Sequence, residues 1–297
     1  MLKIQSELNL LEVPKPCDYF DLIGGTSTGG IIAILLGRLR LSVADALKAY
    51  DSVASQAFVP RLFYTPTGGK YRADSLKKVI QDVVKDKDGT RDPEAIFVDL
   101  EAPKTVVLSI TTVDVSSGPT LFRSYDTDPS WLPCKIWEIA RAASAAYTYF
   151  EAITIGRDHI TCMDSAFGYN NPCVELVKES RRSLQGRPIG CILSIGTGLS
   201  RAVDASNAVS VAKALVDMAT SSKNVHRAMQ VGEYRDVYFR LDETLGVSDI
   251  KLDNYKKMGA LAGLTKNYLR QPDTEDKIES CVDSILSSRR AAIADGA

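Results

Sequence analysis

Apolar and polar residues alternate along the chain in blocks whose spacing changes from that of strands to that of helices and back. Short apolar runs predict strands over residues 19–23, 106–113, 120–124, 160–163, 188–195 and 237–241. Apolar positions three and four apart predict helices over 2–13, 29–36, 43–56, 76–84, 136–146, 172–184, 209–219, 253–269 and 275–293. Strands that alternate with helices predict an α/β fold, a three-layer sandwich with a mainly parallel central sheet. Without a linker or internal repeat, we predict one domain over 1–297.

Composition narrows the class of protein. Of 297 residues, 45% are apolar and 25% are charged, and the formal net charge is -1. Because a chain of such low net charge has no strong overall electrostatic field, we expect no nucleic-acid partner. Contact with a membrane has to come from local apolar surface. The N-terminus lacks the apolar core of a signal peptide, and no run approaches the roughly 18 apolar residues of a membrane span. We interpret the protein as cytoplasmic, with peripheral contact with membranes.

The cysteines are scattered, and several lie inside apolar runs. They are Cys17, Cys134, Cys162, Cys173, Cys191 and Cys281. Because no two of them form a C-x-x-C pair, the sequence indicates neither a zinc site nor a redox motif. We predict reduced thiols packed as small hydrophobic side chains.

One segment has the pattern of a nucleophile elbow. Residues 25–29, Gly-Thr-Ser-Thr-Gly, fit G-x-S-x-G between a predicted strand and an apolar helix. A sharp turn there would expose the hydroxyl of Ser27 and direct the amide of Thr28 at a developing oxyanion, with Gly25 and Gly29 allowing strand and helix to approach closely. A glycine-rich turn that binds phosphate or only packs remains open. A P-loop is excluded because no Gly-Lys-Ser/Thr follows.

A nucleophilic serine needs a base, and the chain offers two histidines and several carboxylates. The order Ser27, Asp164, His226 could form a triad, but only 26 residues precede the serine, too few for the strands that come before the elbow of an α/β-hydrolase. His226 lies in a mixed-polarity helical stretch and His159 in a predicted turn, so both are expected at the surface. Asp164 ends a predicted strand, where α/β folds place their sites. Capping of the next turn is the alternative role for this aspartate.

Four segments in order resemble the patatin-like phospholipases. They are GTSTGG at 25–30, ARAASAA at 140–146 followed by TYF at 148–150, DSAFGYNNP at 164–172, and LSIGTG at 193–198. The resemblance runs from residue 1 to about 245, with the helices of 246–297 beyond it. It implies a lipid acyl hydrolase with Ser27 as nucleophile and Asp164 as proton acceptor. It also implies a lipid or phospholipid substrate and no metal or organic cofactor.

The sequence departs from the family pattern at three places. Ser165 stands where the family usually has glycine, and Tyr147 where it usually has proline. The family's glycine-rich loop, Asp-Gly-Gly-Gly-x-Arg-Gly, normally precedes the helix in which this sequence begins. Since that loop supplies oxyanion donors, we expect the chain as written to hydrolyse esters poorly. Two alternatives stay open: a weak or inactive patatin-like domain that binds lipid or partners, and a Ser-Asp-His esterase of the α/β-hydrolase type.

Overall fold

The structure is a computed structural model that describes residues 1–63, 69–87, 91–101, 104–111, 118–125, 128–146, 149–198, 222–242 and 254–294. The predicted helix over 209–219 and the position of Tyr147 lie outside these residues. The chain divides into two compact units, one of residues Lys15–Pro172 and one of Met1–Pro14 with Cys173–Ala297. The single domain predicted from the sequence therefore stays a prediction.

The first unit is built on a mixed five-stranded sheet. Its strands are β1 (Leu22–Thr26), β2 (Lys104–Thr111), β3 (Thr120–Arg123), β4 (Ile153–Ile155) and β5 (Ile160–Asp164). The order is β1-β2-β5-β4, and β3 also pairs with β2. β1 runs parallel to β2, whereas β3 and β5 pair with β2 antiparallel and β4 pairs with β5 antiparallel. β3 pairs with β2 along residues Val106 to Ser109, and β5 pairs with β2 along residues Ser109 to Thr111. The end of β5 is thereby placed at the middle of the sheet.

Helices cover the sheet of the first unit and bury an apolar core against it. They are α2 (Thr28–Ala33), which continues as a π-helix (Ile34–Arg38), α3 (Val43–Gln56), α4 (Ala73–Lys87), α5 (Ile136–Ala143) and α6 (Ala166–Tyr169). The core joins residues of α2 to α5 with Val107 of β2, which is completely buried. The predicted helix over 43–56 is confirmed, and Ser42 caps it by accepting a hydrogen bond from the Asp45 amide at 3.1 Å.

The second unit contains two short strands, paired in parallel, and several helices. Its elements are α1 (Leu2–Glu7), α7 (Cys173–Ser183), α8 over 222–231, β6 (Ile192–Ile195), β7 (Tyr238–Leu241), α9 (Met258–Leu269) and α10 (Pro272–Ala294). Buried Arg240 of β7 donates to the Ser194 hydroxyl of β6 at 2.6 Å and to the Asp242 carboxylate at 2.9 Å. No helix in the described ranges is long and apolar enough to cross a membrane.

Several predicted elements have different bounds in the structure. β1 begins at Leu22 and includes the two glycines that were expected to end it. The first helix stops at Glu7 rather than residue 13, because Asn9 takes a left-handed φ of 48°, and Leu11 is fully exposed. The run over 188–195 forms a strand only from Ile192. Before that point the Gly190 carbonyl accepts a hydrogen bond from Ser284 of α10, instead of from a strand. β4 was not predicted.

Candidate active site

Ser27 lies on a strained turn between β1 and α2. Its φ and ψ are 55° and -129°, values that are rare for a residue with a side chain. A conformation of this kind costs of order 1–3 kcal/mol and persists only where the surrounding structure holds it. The amides of Gly30 and Ile31 bond to the Ser27 carbonyl at 2.9 and 3.4 Å, which starts the helix immediately after the serine. The turn therefore has the geometry that the sequence predicted for an elbow.

Three glycines around Ser27 differ in how much space a side chain would have at each position. A Cβ on Gly25 would overlap the carbonyl of Gly29, so the close approach of strand and helix requires glycine there. A Cβ on Gly30 would lie 3.0 Å from Val107 and 3.1 Å from Ala143, so this glycine lets α2 pack tightly on β2 and α5. A Cβ on Gly29 would meet no described atom within 4 Å. The expected steric role therefore applies to Gly25 and not to Gly29, and the sequence analysis did not single out Gly30.

The carboxylate of Asp164 is hydrogen bonded directly to Ser27. The Ser27 hydroxyl donates to Oδ2 of Asp164 at 2.5 Å, and the aspartate is 2% exposed. The two residues meet across β2, because Thr26 pairs with Leu108 and Asp164 with the next residue, Ser109. From the sequence, Asp164 was expected at the carboxyl end of a strand in a mainly parallel sheet. In the structure β5 is antiparallel to β2, and Asp164 reaches the serine because β5 ends at Ser109.

Three hydrogen bonds fix the backbone on both sides of Asp164. Its own amide donates to the Ala145 carbonyl at 3.1 Å, just after α5. The buried Ser109 hydroxyl donates to the carbonyl of Met163 at 2.6 Å. The Thr26 hydroxyl donates to the Tyr169 carbonyl at 2.8 Å, which ties the end of β1 to α6. The carboxylate is thus held by strands, not by a mobile loop, as a preorganised site requires.

Ser165 has an ordinary backbone but a buried, unsatisfied hydroxyl. Its φ is -84°, so this position does not need the positive φ that glycine would favour. The side chain is 0% exposed, and its Oγ has no hydrogen-bond partner in the described part of the chain. The position therefore holds a small side chain whose hydroxyl is desolvated without a described partner to compensate.

The N-terminal turn of α2 carries the nearest backbone donors. Thr28 and Gly29 are its first two residues, and the first amides of any helix have no carbonyl partner four residues earlier. The Thr28 side chain bonds to the hydroxyl of Tyr50 in α3, and burial raises the pKa of Tyr50. Tyr50 was not predicted as part of the site. The role of the Thr28 amide in binding an oxyanion stays a prediction.

Arg141 stabilises the segment that leaves α5 near the aspartate. Its guanidinium is buried, donates to the Glu151 carbonyl at 3.0 Å and stacks over the Phe150 ring at 5.7 Å. Burial lowers the pKa of Arg141 to about 10, with Glu151 opposing the shift. The resemblance of residues 140–150 gave no role to this arginine. These contacts compensate part of the cost of burying a charged side chain.

Neither histidine takes the place of the aspartate at Ser27. His159 is exposed in the turn before β5, at the opposite end of that strand from Asp164, which is about 16 Å away along a five-residue strand. His226 lies in α8, where its Nδ1 and the Tyr238 hydroxyl are 3.1 Å apart. Burial, and then Arg240, lower the pKa of His226. The described residues also contain no group of three or more His, Cys, Asp or Glu side chains placed to hold a metal.

Comparison with known proteins gives one family. The family described as Patatin-like phospholipase matches residues 7–177, a range that contains both Ser27 and Asp164. The chain is 26% identical to calcium-independent phospholipase A2-gamma of Rattus norvegicus over 304 residues, covering 93% of this chain and 38% of that protein. It is 27% identical to Patatin-like protein 1 of Arabidopsis thaliana over 239 residues, covering 68% of this chain and 55% of that protein.

A third relative carries a different description. The chain is 24% identical to Probable inactive patatin-like protein 9 of Arabidopsis thaliana over 202 residues, covering 62% of this chain and 51% of that protein. The chain thus spans between 38% and 55% of the length of these three relatives. The match over residues 7–177 supports the predicted three-layer α/β fold class.

Proposed function

The chain belongs to the patatin-like phospholipase family, and we propose that it is a lipid acyl hydrolase in which Ser27 is the nucleophile and Asp164 its base. Relatives named as phospholipases support hydrolysis of lipid esters at the level of the family. The proposed substrate is the carboxylic ester of a phospholipid or acylglycerol, met at a membrane or lipid surface.

The observation that carries the proposal is the 2.5 Å hydrogen bond from Ser27 to Asp164. A serine hydroxyl has one proton, and here that proton points at a carboxylate and not at an imidazole. This geometry favours a Ser-Asp dyad over the Ser-Asp-His triad, in which the serine would donate to a histidine. The strained φ of Ser27 supports the same role, since strain of this kind clusters at active sites.

The proposed reaction has two stages. Oγ of Ser27 attacks the ester carbonyl carbon while its proton passes to Asp164, and the Thr28 amide donates to the oxyanion that forms. The intermediate collapses by breaking the bond to the alcohol oxygen, which takes the proton from Asp164. Asp164 then accepts a proton from water as that water attacks the acyl-serine. The second collapse releases the fatty acid and returns the proton to Ser27.

A second candidate function is lipid binding without turnover. The relative named as a probable inactive patatin-like protein favours this possibility. The two functions differ in the chemistry of Ser27. An active dyad reacts with a fluorophosphonate, whereas a site without an activated serine does not.

The test compares Ser27→Ala with Ser55→Ala, a matched change of an exposed serine in α3. The assays are kcat/KM on a short-chain p-nitrophenyl ester and on a phospholipid, together with fluorophosphonate labelling. Ser27→Ala should lose at least about a thousandfold in rate and all labelling, while Ser55→Ala should lose neither. Labelling that survives in Ser27→Ala would overturn the assignment. A wild-type chain that neither labels nor turns over would establish the second candidate.

A further inference from the structure

Two large apolar side chains stand side by side in solvent after α3. Leu62 is 94% exposed and Phe63 is 90% exposed, far above the other apolar residues of this region. We call this pair the apolar tip. Single exposed apolar residues are common on proteins, but two adjacent ones that are almost fully exposed mark a contact surface for something else.

The apolar tip directly follows one strand of a short two-stranded stem, which is formed by residues 59–61 and 70–72. Pro60 and Tyr71 form an antiparallel bridge. The Arg61 amide donates to the Lys70 carbonyl at 3.0 Å, and the Arg72 amide donates to the Val59 carbonyl at 2.9 Å. The backbone that leads into the tip, up to Arg61, is therefore fixed by hydrogen bonds.

Aromatic packing anchors the stem next to the candidate active site. Tyr71 is buried and packs against Phe58, Tyr149 and Phe150, with ring centroids 5.1 to 6.2 Å apart. Its amide also donates to the Tyr149 carbonyl at 2.9 Å. Tyr149 lies four residues after Ala145, whose carbonyl accepts the Asp164 amide, so at most about 15 Å of chain separates the stem's anchor from that point. The stem that carries the tip is therefore anchored to the segment that also binds the backbone of Asp164.

The charged residues of the chain segment that carries the apolar tip are all basic. Residues 52–73 contain Arg61, Lys70 and Arg72 and no aspartate or glutamate. Lys70 and Arg72 are exposed, and the Lys70 ammonium lies 4.9 Å from the centre of the Tyr71 ring. Arg61 pairs with Glu151 at 2.9 Å. Since the whole chain carries a net charge of only -1, this cationic stem is a local feature.

We propose that the apolar tip inserts into the surface of an anionic lipid bilayer, while Lys70 and Arg72 contact the headgroup phosphates. A bilayer fits because its fluid interior accepts projecting side chains without a shaped groove, and its anionic surface complements the stem. The inference rests on the proposed function, since a hydrolase of lipid esters has to hold its site against the lipid. It adds the surface by which the chain meets that substrate.

The experiment measures binding of the full chain to phosphatidylcholine vesicles with and without phosphatidylserine. The tip variant Leu62→Ser with Phe63→Ser is compared with Leu47→Ser, which changes a leucine of α3 that is 64% exposed. The tip variant should lose at least about tenfold in the partition coefficient, and the Leu47 variant should bind as the wild type. Lys70→Gln with Arg72→Gln should abolish the preference for phosphatidylserine.

A second readout follows insertion directly. In Phe63→Trp, brominated lipid should quench the added fluorescence, whereas in Leu47→Trp it should not. Equal binding of the tip variant and the wild type, or an equal loss in Leu47→Ser, would overturn the proposal. So would a tip variant that changes the oligomeric state by sedimentation but not vesicle binding, because a second copy would then be the partner.

Turnover of a soluble short-chain ester separates this proposal from the proposed function. The tip variant should keep the wild-type rate on that ester in the absence of vesicles. If the tip variant loses vesicle binding but keeps that rate, the result supports the proposed membrane contact independently of the hydrolase activity. If the chain hydrolyses no ester but binds vesicles through the tip, the proposed hydrolase activity is contradicted and the proposed membrane contact still holds.

Discussion

Ser27 and Asp164 are 137 residues apart in the sequence, and their side chains form a hydrogen bond of 2.5 Å. The carboxylate is almost completely buried and reaches the serine from the end of β5. At this distance no third group can lie between the hydroxyl and the carboxylate.

The first prediction concerns the base. Asp164→Asn keeps the shape of the side chain but cannot accept the proton, so kcat on a short-chain ester should fall by at least about a hundredfold. His159→Ala combined with His226→Ala should leave kcat within about twofold of the wild type, since neither ring is the partner of Ser27. Both variants are checked for folding by circular dichroism. A folded histidine double variant without activity would restore the triad.

The second prediction concerns the buried hydroxyl of Ser165. Ser165→Ala removes a desolvated polar atom that has no described partner, so the free energy of unfolding should rise by about 1 kcal/mol. Ser165→Gly should give a smaller gain, because a backbone with φ of -84° does not need glycine and glycine loses more entropy on folding. The measurement is the urea unfolding midpoint of each variant. A stability loss in Ser165→Ala would mean that the hydroxyl has a partner.

The third prediction uses the two glycines of the elbow as a matched pair. Gly25→Ala places a Cβ against the Gly29 carbonyl and should destabilise the fold by about 1–3 kcal/mol while also reducing fluorophosphonate labelling. Gly29→Ala meets no described atom and should be tolerated in stability. Thermal unfolding and the labelling rate distinguish the two variants. Equal losses in both would show that the approach of α2 to β1 is not set by Gly25 alone.

The fourth prediction concerns two thiols of the second unit. Sγ of Cys191, just before β6, lies 3.7 Å from Sγ of Cys281 in α10. That hydrogen bond lowers the pKa of Cys281 and raises the pKa of Cys191. With oxidised glutathione, one of the two thiols attacks the glutathione disulfide as its thiolate and releases one glutathione. The other thiol then attacks the mixed disulfide and releases the second.

Two protons and two electrons thus leave the protein, and the sulfur atoms close to about 2.05 Å. Closing a loop of this length should stabilise the fold by roughly 2–5 kcal/mol. Peptide mapping without reductant should find this one cross-link, and it should be absent in Cys191→Ser and present in Cys17→Ser. A cross-link to any other cysteine, or none at all, would contradict the prediction.

What the sequence predicted correctly depends on local rules. The elbow of Ser27 followed from glycines between a strand and an apolar helix, and the helix over 43–56 followed from the spacing of its apolar residues. Asp164 was a candidate because it ends a predicted strand, and its role as proton acceptor, which the family resemblance implied, stays a prediction. The direction of that strand was not predictable, because antiparallel pairing of β5 with β2 depends on residues more than 50 positions apart.

Most of the contacts that the sequence did not predict are long-range. The pairing of Cys191 with Cys281 joins residues 90 positions apart, and no spacing rule connects them. The Tyr50 contact with Thr28 and the burial of Arg141 depend on how helices pack. The short run over 188–195 looked like a strand throughout, but packing of α10 against Gly190 confines the ladder to its last four residues.

The distance along the chain between Ser27 and Asp164 also sets the order in which the site forms during synthesis. At about 5 to 20 residues per second, the ribosome delivers Asp164 roughly 7 to 27 seconds after Ser27. Through that interval the left-handed turn at Ser27 lacks the carboxylate, and for most of it also lacks β2, whose first residue comes 82 positions after Leu22. A nascent chain stalled before β5 should therefore carry a serine that is present but chemically ordinary. The reactivity of Ser27 would appear only when β5 pairs with β2. That reactivity would therefore report that this unit has completed folding.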